Sequence, residues 1–129
     1  MKAVRINGYG GVENLEVVET VIPEPAAGEV RVKVSYAGLR WGDIMQRGGF
    51  PSRDRPVPFI GGQEAAGTID ALGAGVTNLE VGQTVFAAPP CGGFADYVTL
   101  DARRVTPLPA NVPVERSLAY PINMRTAHL

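Results

Sequence analysis

The chain has 129 residues, of which 45% are hydrophobic, so it can fill one modest core and is too short for two domains. Twelve basic residues oppose thirteen acidic ones, and the net charge of −1 offers no basic surface for nucleic acid or an anionic membrane. The first residues lack the apolar core of a signal peptide and no run of about 18 apolar residues could span a bilayer, so we expect a cytoplasmic protein.

The first half of the chain predicts three strands and one short helix. Residues 2–6 and 15–20 alternate apolar and polar side chains around a glycine-rich turn, so we expect these two strands to pair. Residues 29–36 carry valine at every second position, which is typical of a half-buried strand. The alternation stops over residues 41–47, and the glycines at 48–49 predict the end of a helix of one or two turns.

The second half predicts further strands and a helical end. Three stretches read as strands separated by glycine or proline turns, at residues 65–72, 82–87 and 93–100. Short strands at this spacing favour a small, partly open β-barrel or a β-sandwich. From Pro113 the apolar spacing becomes helical and Pro121 interrupts it, so we expect a helix, a break and the start of another helix. The change predicts a barrel over 1–112 and a helical segment over 113–129.

Several motifs favour ordinary structural roles. The glycines at 8–11 and 73–75 partly imitate the GxGxxG fingerprint of a dinucleotide site, but no helix pattern follows either, so turns are predicted. Cys91 is the only cysteine and His128 the only histidine, which excludes an internal disulfide and favours unremarkable roles for both. The arginines at 47, 53 and 55 favour a solvated loop, with a contact to an anionic ligand as the alternative.

Six pieces of the sequence, in one order, carry a resemblance to a known family. They are MKAVRINGYGGVENLEV, GEVRVKVSYAG, GLRWGDIMQRGGFP followed by PFIGGQEAAGTI, GAGVTNLEVGQTVF, GGFADYV and MRTAHL. The chain resembles the catalytic domain of the medium-chain dehydrogenase/reductase superfamily, and within it the zinc-free quinone oxidoreductase branch that includes zeta-crystallin. The resemblance implies a mainly β, GroES-like, partly open barrel with short helices. It also implies that the Rossmann domain expected to follow is lacking here.

The resemblance implies that no metal is bound. Zinc-dependent relatives have a cysteine where this chain has Arg40, and a histidine where it has Gln63. An arginine is always cationic and a glutamine amide is a poor zinc ligand. The four-cysteine zinc lobe of those relatives is also absent from the sequence. Glu64, an acid that family members keep, is expected to hold its loop through hydrogen bonds.

The implied catalytic residues are Arg40, Trp41 and Asp43. Zinc-free relatives commonly have asparagine at the place of Arg40, followed by an aromatic residue, any residue and aspartate. A preorganised donor at this place would stabilise the negative charge that hydride transfer develops on a carbonyl oxygen. The structural alternatives are a solvated arginine at a helix start and an aspartate that caps the helix.

The resemblance also implies residues for cofactor and substrate. Arg40, Gln63 and Thr126 are the expected cofactor-binding residues, because Thr126 matches a threonine that contacts the nicotinamide in relatives. Met45 and Phe50 stand where several relatives have tyrosines, so a more apolar substrate pocket is expected. The implied cofactor is NADPH, and most of its site would lie outside these residues.

The expected function is therefore that of the catalytic part of an NADPH-dependent oxidoreductase that reduces quinones or α,β-unsaturated carbonyls by hydride transfer. The implied partners are a small quinone or enone and, for the full-length enzyme, further copies of itself. Two alternatives stay open: an enoyl reductase acting on acyl thioesters, and a non-catalytic GroES-like interaction module, as chaperonin-10 is on the same fold. The chain by itself is expected to be inactive, because it cannot build a pyrophosphate site.

Overall fold

Eight β-strands form most of the regular structure in the computed structural model, which describes residues 1–51 and 53–128. The strands are β1 Lys2–Ile6, β2 Leu15–Glu19, β3 Glu29–Ala37, β4 Phe59–Ile60, β5 Ala65–Leu72, β6 Thr84–Ala87, β7 Tyr97–Asp101 and β8 Val105–Pro107. The α-helix α1, Trp41–Gly48, follows β3, and 3-10 turns lie at Val12–Asn14 and Ala102–Arg104. The predicted strands and the predicted helix are all present.

The strands form two antiparallel sheets, in the orders β2-β1-β4 and β7-β3-β5-β6-β8. The predicted pairing of the first two strands is confirmed, with Lys2 opposite Glu19. A β-bridge between Ala3 and Ala95 brings β1 beside the segment that precedes β7. The predicted mainly β, GroES-like class is confirmed, and both sheets are open rather than closed into a barrel.

Two predicted strands begin later than expected, and two strands were not predicted. The strand predicted over 93–100 begins only at Tyr97, because Gly93 and Phe94 donate their backbone N–H groups to the carbonyls of Gly62 and Gly61. Thr84 begins the strand predicted from residue 82. The unpredicted strands, β4 and β8, have two and three residues, too few to show a side-chain period.

The core contains side chains from all five strands of the larger sheet. Val30, Val32, Ile69 and Val85 are fully buried, because alternate side chains of each strand point to the same face. Gly67 allows β3 and β5 to approach closely, since a Cβ there would lie 2.0 Å from the carbonyl oxygen of Lys33. This packing fixes the last residues of β3 and the first residues of β5, next to which the residues of the candidate site lie.

The chain ends in three consecutive helical segments rather than in two helices separated by a break. A 3-10 helix at Val114–Ala119 continues into a π-helical segment at Tyr120–Met124 and an α-helical turn at Arg125–Ala127. Pro121 lies in the first turn of the middle segment, where its missing N–H group is tolerated, so it changes the helix type without stopping the helix. The boundary near residue 112 stays a prediction, and residue 129 of the predicted segment lies outside the described residues.

Candidate active site

Asp43 anchors the start of α1 to Arg40, the N-cap residue just before the helix. The Asp43 carboxylate Oδ2 accepts a hydrogen bond from the backbone N–H of Arg40 at 2.9 Å. The helix ends at Gly49, whose φ of +85° is the left-handed conformation that glycine favours. The capping role predicted as an alternative for Asp43 is therefore real. Its other oxygen, Oδ1, is buried and accepts no hydrogen bond from a described residue.

Arg40 and Gln63, which stand where the resemblance implies zinc ligands in zinc-dependent relatives, form a hydrogen-bonded pair. A terminal guanidinium N–H of Arg40 donates to Oε1 of Gln63, which lies 23 residues later in the loop before β5. The Arg40 side chain is half-buried, and its Nε is buried with no acceptor among the described residues. The guanidinium is thus held within the fold, and its buried Nε–H has no partner among the described residues.

Two buried carboxylates lie around this pair. Glu64 is 3% exposed and Asp43 is 6% exposed. Burial raises the pKa of the Glu64 carboxyl and the negative charge of Asp43 raises it further, whereas the positive charge of Arg40 opposes both effects. Arg40 therefore supplies the positive charge that offsets two poorly solvated acids.

The loop that carries Glu64 is held by a backbone hydrogen bond of this residue. The Glu64 carbonyl accepts from the N–H of Gly38 at 3.2 Å. Its Oε1 is buried and has no partner among the described residues. A Cβ at Gly38 would lie 2.5 Å from Oε2 of Glu64, so a larger residue there would require the Glu64 carboxylate to shift.

Two clefts meet beside the Arg40–Gln63 pair. The first, which we name the aromatic cleft, has a volume of about 390 Å³ and is lined in part by Tyr9, Met45, Gln46, Phe50 and Gln63. The second, the C-terminal cleft, has a volume of about 520 Å³ and is lined in part by Arg40, Trp41, Asn123 and Thr126. Gly42 lines both clefts.

Gly42 has no side chain to separate the two clefts. A Cβ at this position would lie 3.3 Å from Oε1 of Gln63 and 3.7 Å from a terminal nitrogen of Arg40. Any larger residue at this position would fill the space where the clefts meet. The Arg40–Gln63 pair therefore lies where groups bound in the two clefts could approach each other.

The structure brings the predicted residues to one region and adds others. Trp41, 71% exposed, and Thr126 lie at the C-terminal cleft with Arg40, whereas Met45 and Phe50 line the aromatic cleft. Sequence reasoning missed Tyr9 and Gln46. Gln46 lies four residues after Gly42, a spacing that helical periodicity could have revealed. Tyr9 lies in a distant turn and carried no such signal.

The arginines predicted to form a solvated loop make contacts with neighbouring groups. Arg47 donates to the carbonyl oxygen of Gly10 at 3.1 Å, and the Arg53 guanidinium lies 5.4 Å from the Tyr9 ring centre. Arg55 lies 3.0 Å from Sγ of Cys91, and its main-chain oxygen accepts from the Tyr9 hydroxyl. Arg53 and Arg55 therefore hold their loop against Tyr9, a residue of the aromatic cleft.

Two features are absent from residues 1–51 and 53–128. No three His, Cys, Asp or Glu side chains are grouped so that they could hold a metal ion. Within the same residues, no helix has both the length and the apolar character that crossing a bilayer requires. The absence of zinc and the location in the cell stay predictions.

The chain belongs to the alcohol dehydrogenase GroES-like domain family, whose model matches residues 26–110. It is 31% identical to the human protein "Synaptic vesicle membrane protein VAT-1 homolog-like" over 129 residues, which are 100% of this chain and 31% of that protein. It is 30% identical to rat quinone oxidoreductase over 98% of this chain and 39% of the relative. The predicted resemblance to zinc-free quinone oxidoreductases is in line with these matches.

Solved structures of the same relatives are also similar to this chain. The structure of the human VAT-1 homolog-like protein superposes with a TM-score of 0.94 at 31% identity, over 99% of this chain and 41% of that one. Escherichia coli quinone oxidoreductase, complexed with NADPH, gives a TM-score of 0.90 at 27% identity, over 99% of this chain and 39% of that one. The chain spans about a third of the length of the curated relatives it matches.

Proposed function

We propose that this chain forms the substrate side of an NADPH-dependent oxidoreductase that reduces quinones or α,β-unsaturated carbonyls. The observation that carries the proposal is the half-buried Arg40–Gln63 pair at the junction of two clefts. Hydride transfer to a conjugated carbonyl develops negative charge on its oxygen, and a preorganised cation in a poorly hydrated site stabilises that charge. The relationship to quinone oxidoreductases supports the same chemistry.

In this proposal the C-terminal cleft receives the nicotinamide end of NADPH. Thr126 and Asn123 are polar side chains at this cleft, and Trp41 offers an exposed aromatic surface. These residues suit the nicotinamide group, a flat ring that carries a polar amide. NADPH supplies the hydride when it is bound, and its adenine and pyrophosphate groups need a dinucleotide-binding domain outside these residues.

The aromatic cleft receives the carbonyl compound. Met45 and Phe50 supply apolar contacts, while Arg40, which lines the adjoining C-terminal cleft, supplies positive charge near the junction. Gln63 holds the guanidinium, and Asp43 holds the start of the helix beside it. Arg40 is thus the charge-stabilising residue, Gln63 and Asp43 are positioning residues, and solvent is the proton source.

Other parts of the proposal rest on the family resemblance. They are the absence of zinc, the preference for NADPH over NADH, a homo-oligomeric full-length enzyme, a cytoplasmic location and a boundary near residue 112. Reduction of acyl thioesters would use the same charge-stabilising arginine, so a crotonyl thioester belongs in any substrate screen beside quinones.

The test is a chimera in which this chain replaces the corresponding part of Escherichia coli quinone oxidoreductase. We expect NADPH oxidation that depends on 1,4-naphthoquinone. Arg40→Ala should raise the barrier by about 2–4 kcal/mol, the usual effect of removing one oxyanion donor. Arg47→Ala, on the same helix, is the matched control and should retain activity. A folded chimera that binds NADPH, but whose Arg40→Ala variant loses less than about fivefold in rate, would contradict the assigned role.

A further inference from the structure

Gln46 presents a buried hydrogen-bond acceptor at the aromatic cleft. Its Nε2 donates to the carbonyl oxygen of Pro90 at 3.3 Å, which orients the side-chain amide. Its Oε1 is buried and accepts no hydrogen bond from a described residue. Gln46 follows Gly42 by one turn of α1, and both residues line the cleft. The cleft therefore contains an oriented acceptor that requires a donor.

Several other polar groups of the cleft are engaged by the protein, and the side chain of Asp54, which also lines the cleft, is exposed to solvent. Oε1 of Gln63 accepts from Arg40, and the Tyr9 hydroxyl donates to the main chain of Arg55. The guanidinium of Arg55 is directed to the sulfur of Cys91 and to the ring of Phe59. The Oε1 of Gln46 is thus the buried polar atom of this cleft for which the described residues supply no partner.

We propose that Gln46 determines specificity by accepting a hydrogen bond from a hydroxyl group of the substrate. This inference rests on the proposed function, because it concerns the compound that the aromatic cleft would take. The substrate class is a hydroxylated aromatic quinone or enone. Its ring contacts Met45 and Phe50, its hydroxyl donates to Gln46, and its reducible end faces the Arg40–Gln63 pair.

The cleft can discriminate between ligands because a buried acceptor left without a donor costs binding free energy. In the free protein, Oε1 of Gln46 has almost no exposed surface and no donor among the described residues. A ligand without a donor leaves this oxygen unpaired, whereas a ligand hydroxyl that reaches it supplies the missing hydrogen bond. Sites built to bind a ligand hydroxyl reject analogues that lack it far more strongly than apolar pockets reject a missing methylene.

The test compares two aryl ketones that differ only at one oxygen, 6-hydroxy-1-tetralone and 6-methoxy-1-tetralone. Neither has an electrophilic double bond that the Cys91 thiol could attack. Each is titrated against the 129-residue chain, and amide chemical shifts are followed by NMR. We expect the hydroxyl compound to bind about tenfold more tightly, which is a typical effect of satisfying one buried acceptor.

Variants of Gln46 assign the preference to its side chain. Gln46→Met retains the length of the side chain without polar atoms, so it should bind both ketones with equal affinity, weaker than that of the unmodified chain for the hydroxyl compound. Gln46→Glu retains an acceptor and should keep or increase the preference for the hydroxyl compound. Ile44→Ala, at an exposed position of α1, is the matched control and should behave like the unmodified chain.

Three results would overturn the inference: equal binding of the two ketones, a preference that survives in Gln46→Met, or chemical-shift changes away from the aromatic cleft. If Gln46→Met does not fold, the comparison of the unmodified chain with Gln46→Glu decides the question. These titrations contain no NADPH. Equal binding would therefore refute the role of Gln46 while Arg40-dependent reduction by the chimera could still hold. Loss of that reduction would refute the proposed function while the binding preference could still hold.

Discussion

Replacing Arg40 with methionine tests whether its charge is held within the site. The guanidinium donates to Gln63, and its positive charge opposes the raised pKa of the buried Glu64 carboxyl. A hydrogen bond from a charged donor contributes about 1.5–3 kcal/mol, and we take about 2 because the side chain is only half-buried. Arg40→Met should therefore lower the free energy of unfolding by about 2 kcal/mol near neutral pH.

The loss of unfolding free energy in Arg40→Met should increase with pH. Because the folded-state pKa of Glu64 lies above its unfolded value, its contribution to stability is greatest at low pH and is lost as the pH rises through the folded pKa. Without Arg40 the pKa of Glu64 rises further. The destabilisation caused by Arg40→Met should thus be larger at about pH 8 than at about pH 5.

Urea unfolding followed by circular dichroism at both pH values measures these differences. Arg47→Met is the matched control on the same helix, because its hydrogen bond to Gly10 is exposed to solvent. It should cost less than about 1 kcal/mol, equally at both pH values. A loss within about 0.5 kcal/mol for Arg40→Met would show that Arg40 is an ordinary surface arginine. An equal loss at both pH values would contradict the coupling to Glu64.

Three more predictions concern the charge, the metal and the cofactor. Glu64→Gln should stabilise the chain by about 1 kcal/mol at about pH 8. It should have little effect at about pH 4, because Glu64 is protonated there. Urea unfolding measures both effects, and destabilisation at the higher pH would refute this prediction. Elemental analysis should find far less than one zinc per chain, and stoichiometric zinc that survives chelation would contradict the zinc-free assignment. Calorimetric titration should give an NADPH dissociation constant weaker than millimolar, because no glycine-rich βαβ unit is present in the sequence; a micromolar constant, about −8 kcal/mol, would contradict this reasoning.

The fold could be predicted where side-chain periodicity is visible along the chain. The valines at 30, 32 and 34 marked β3, and the loss of alternation after residue 40 marked α1. Periodicity could not reveal β4 and β8, which are too short, or the separation of the strands into two open sheets. Nor could it show that Gly93 and Phe94 pair with the backbone of residues 61–62, because that pairing depends on contacts distant in sequence.

The site could be predicted only in part. The resemblance named Arg40 and Gln63, but their hydrogen bond spans 23 residues and has no local sequence signal. Gln46 was missed because a glutamine on a short helix is usually a solvated residue. Two features single out Gln46: one side-chain oxygen is buried, and the side chain contacts Pro90, 44 residues away. Both features arise only when the chain is folded.

The central claim is that nicotinamide and carbonyl substrate occupy two clefts that meet beside the Arg40–Gln63 pair. NMR titration of the 129-residue chain with reduced nicotinamide mononucleotide, and separately with 6-hydroxy-1-tetralone, tests it most directly. The mononucleotide should shift the signals of Asn123 and Thr126, the ketone those of Met45 and Gln46, and both ligands that of Gly42. Competition of the two ligands for one cleft, or signals that change only at residues remote from both clefts, would contradict the claim.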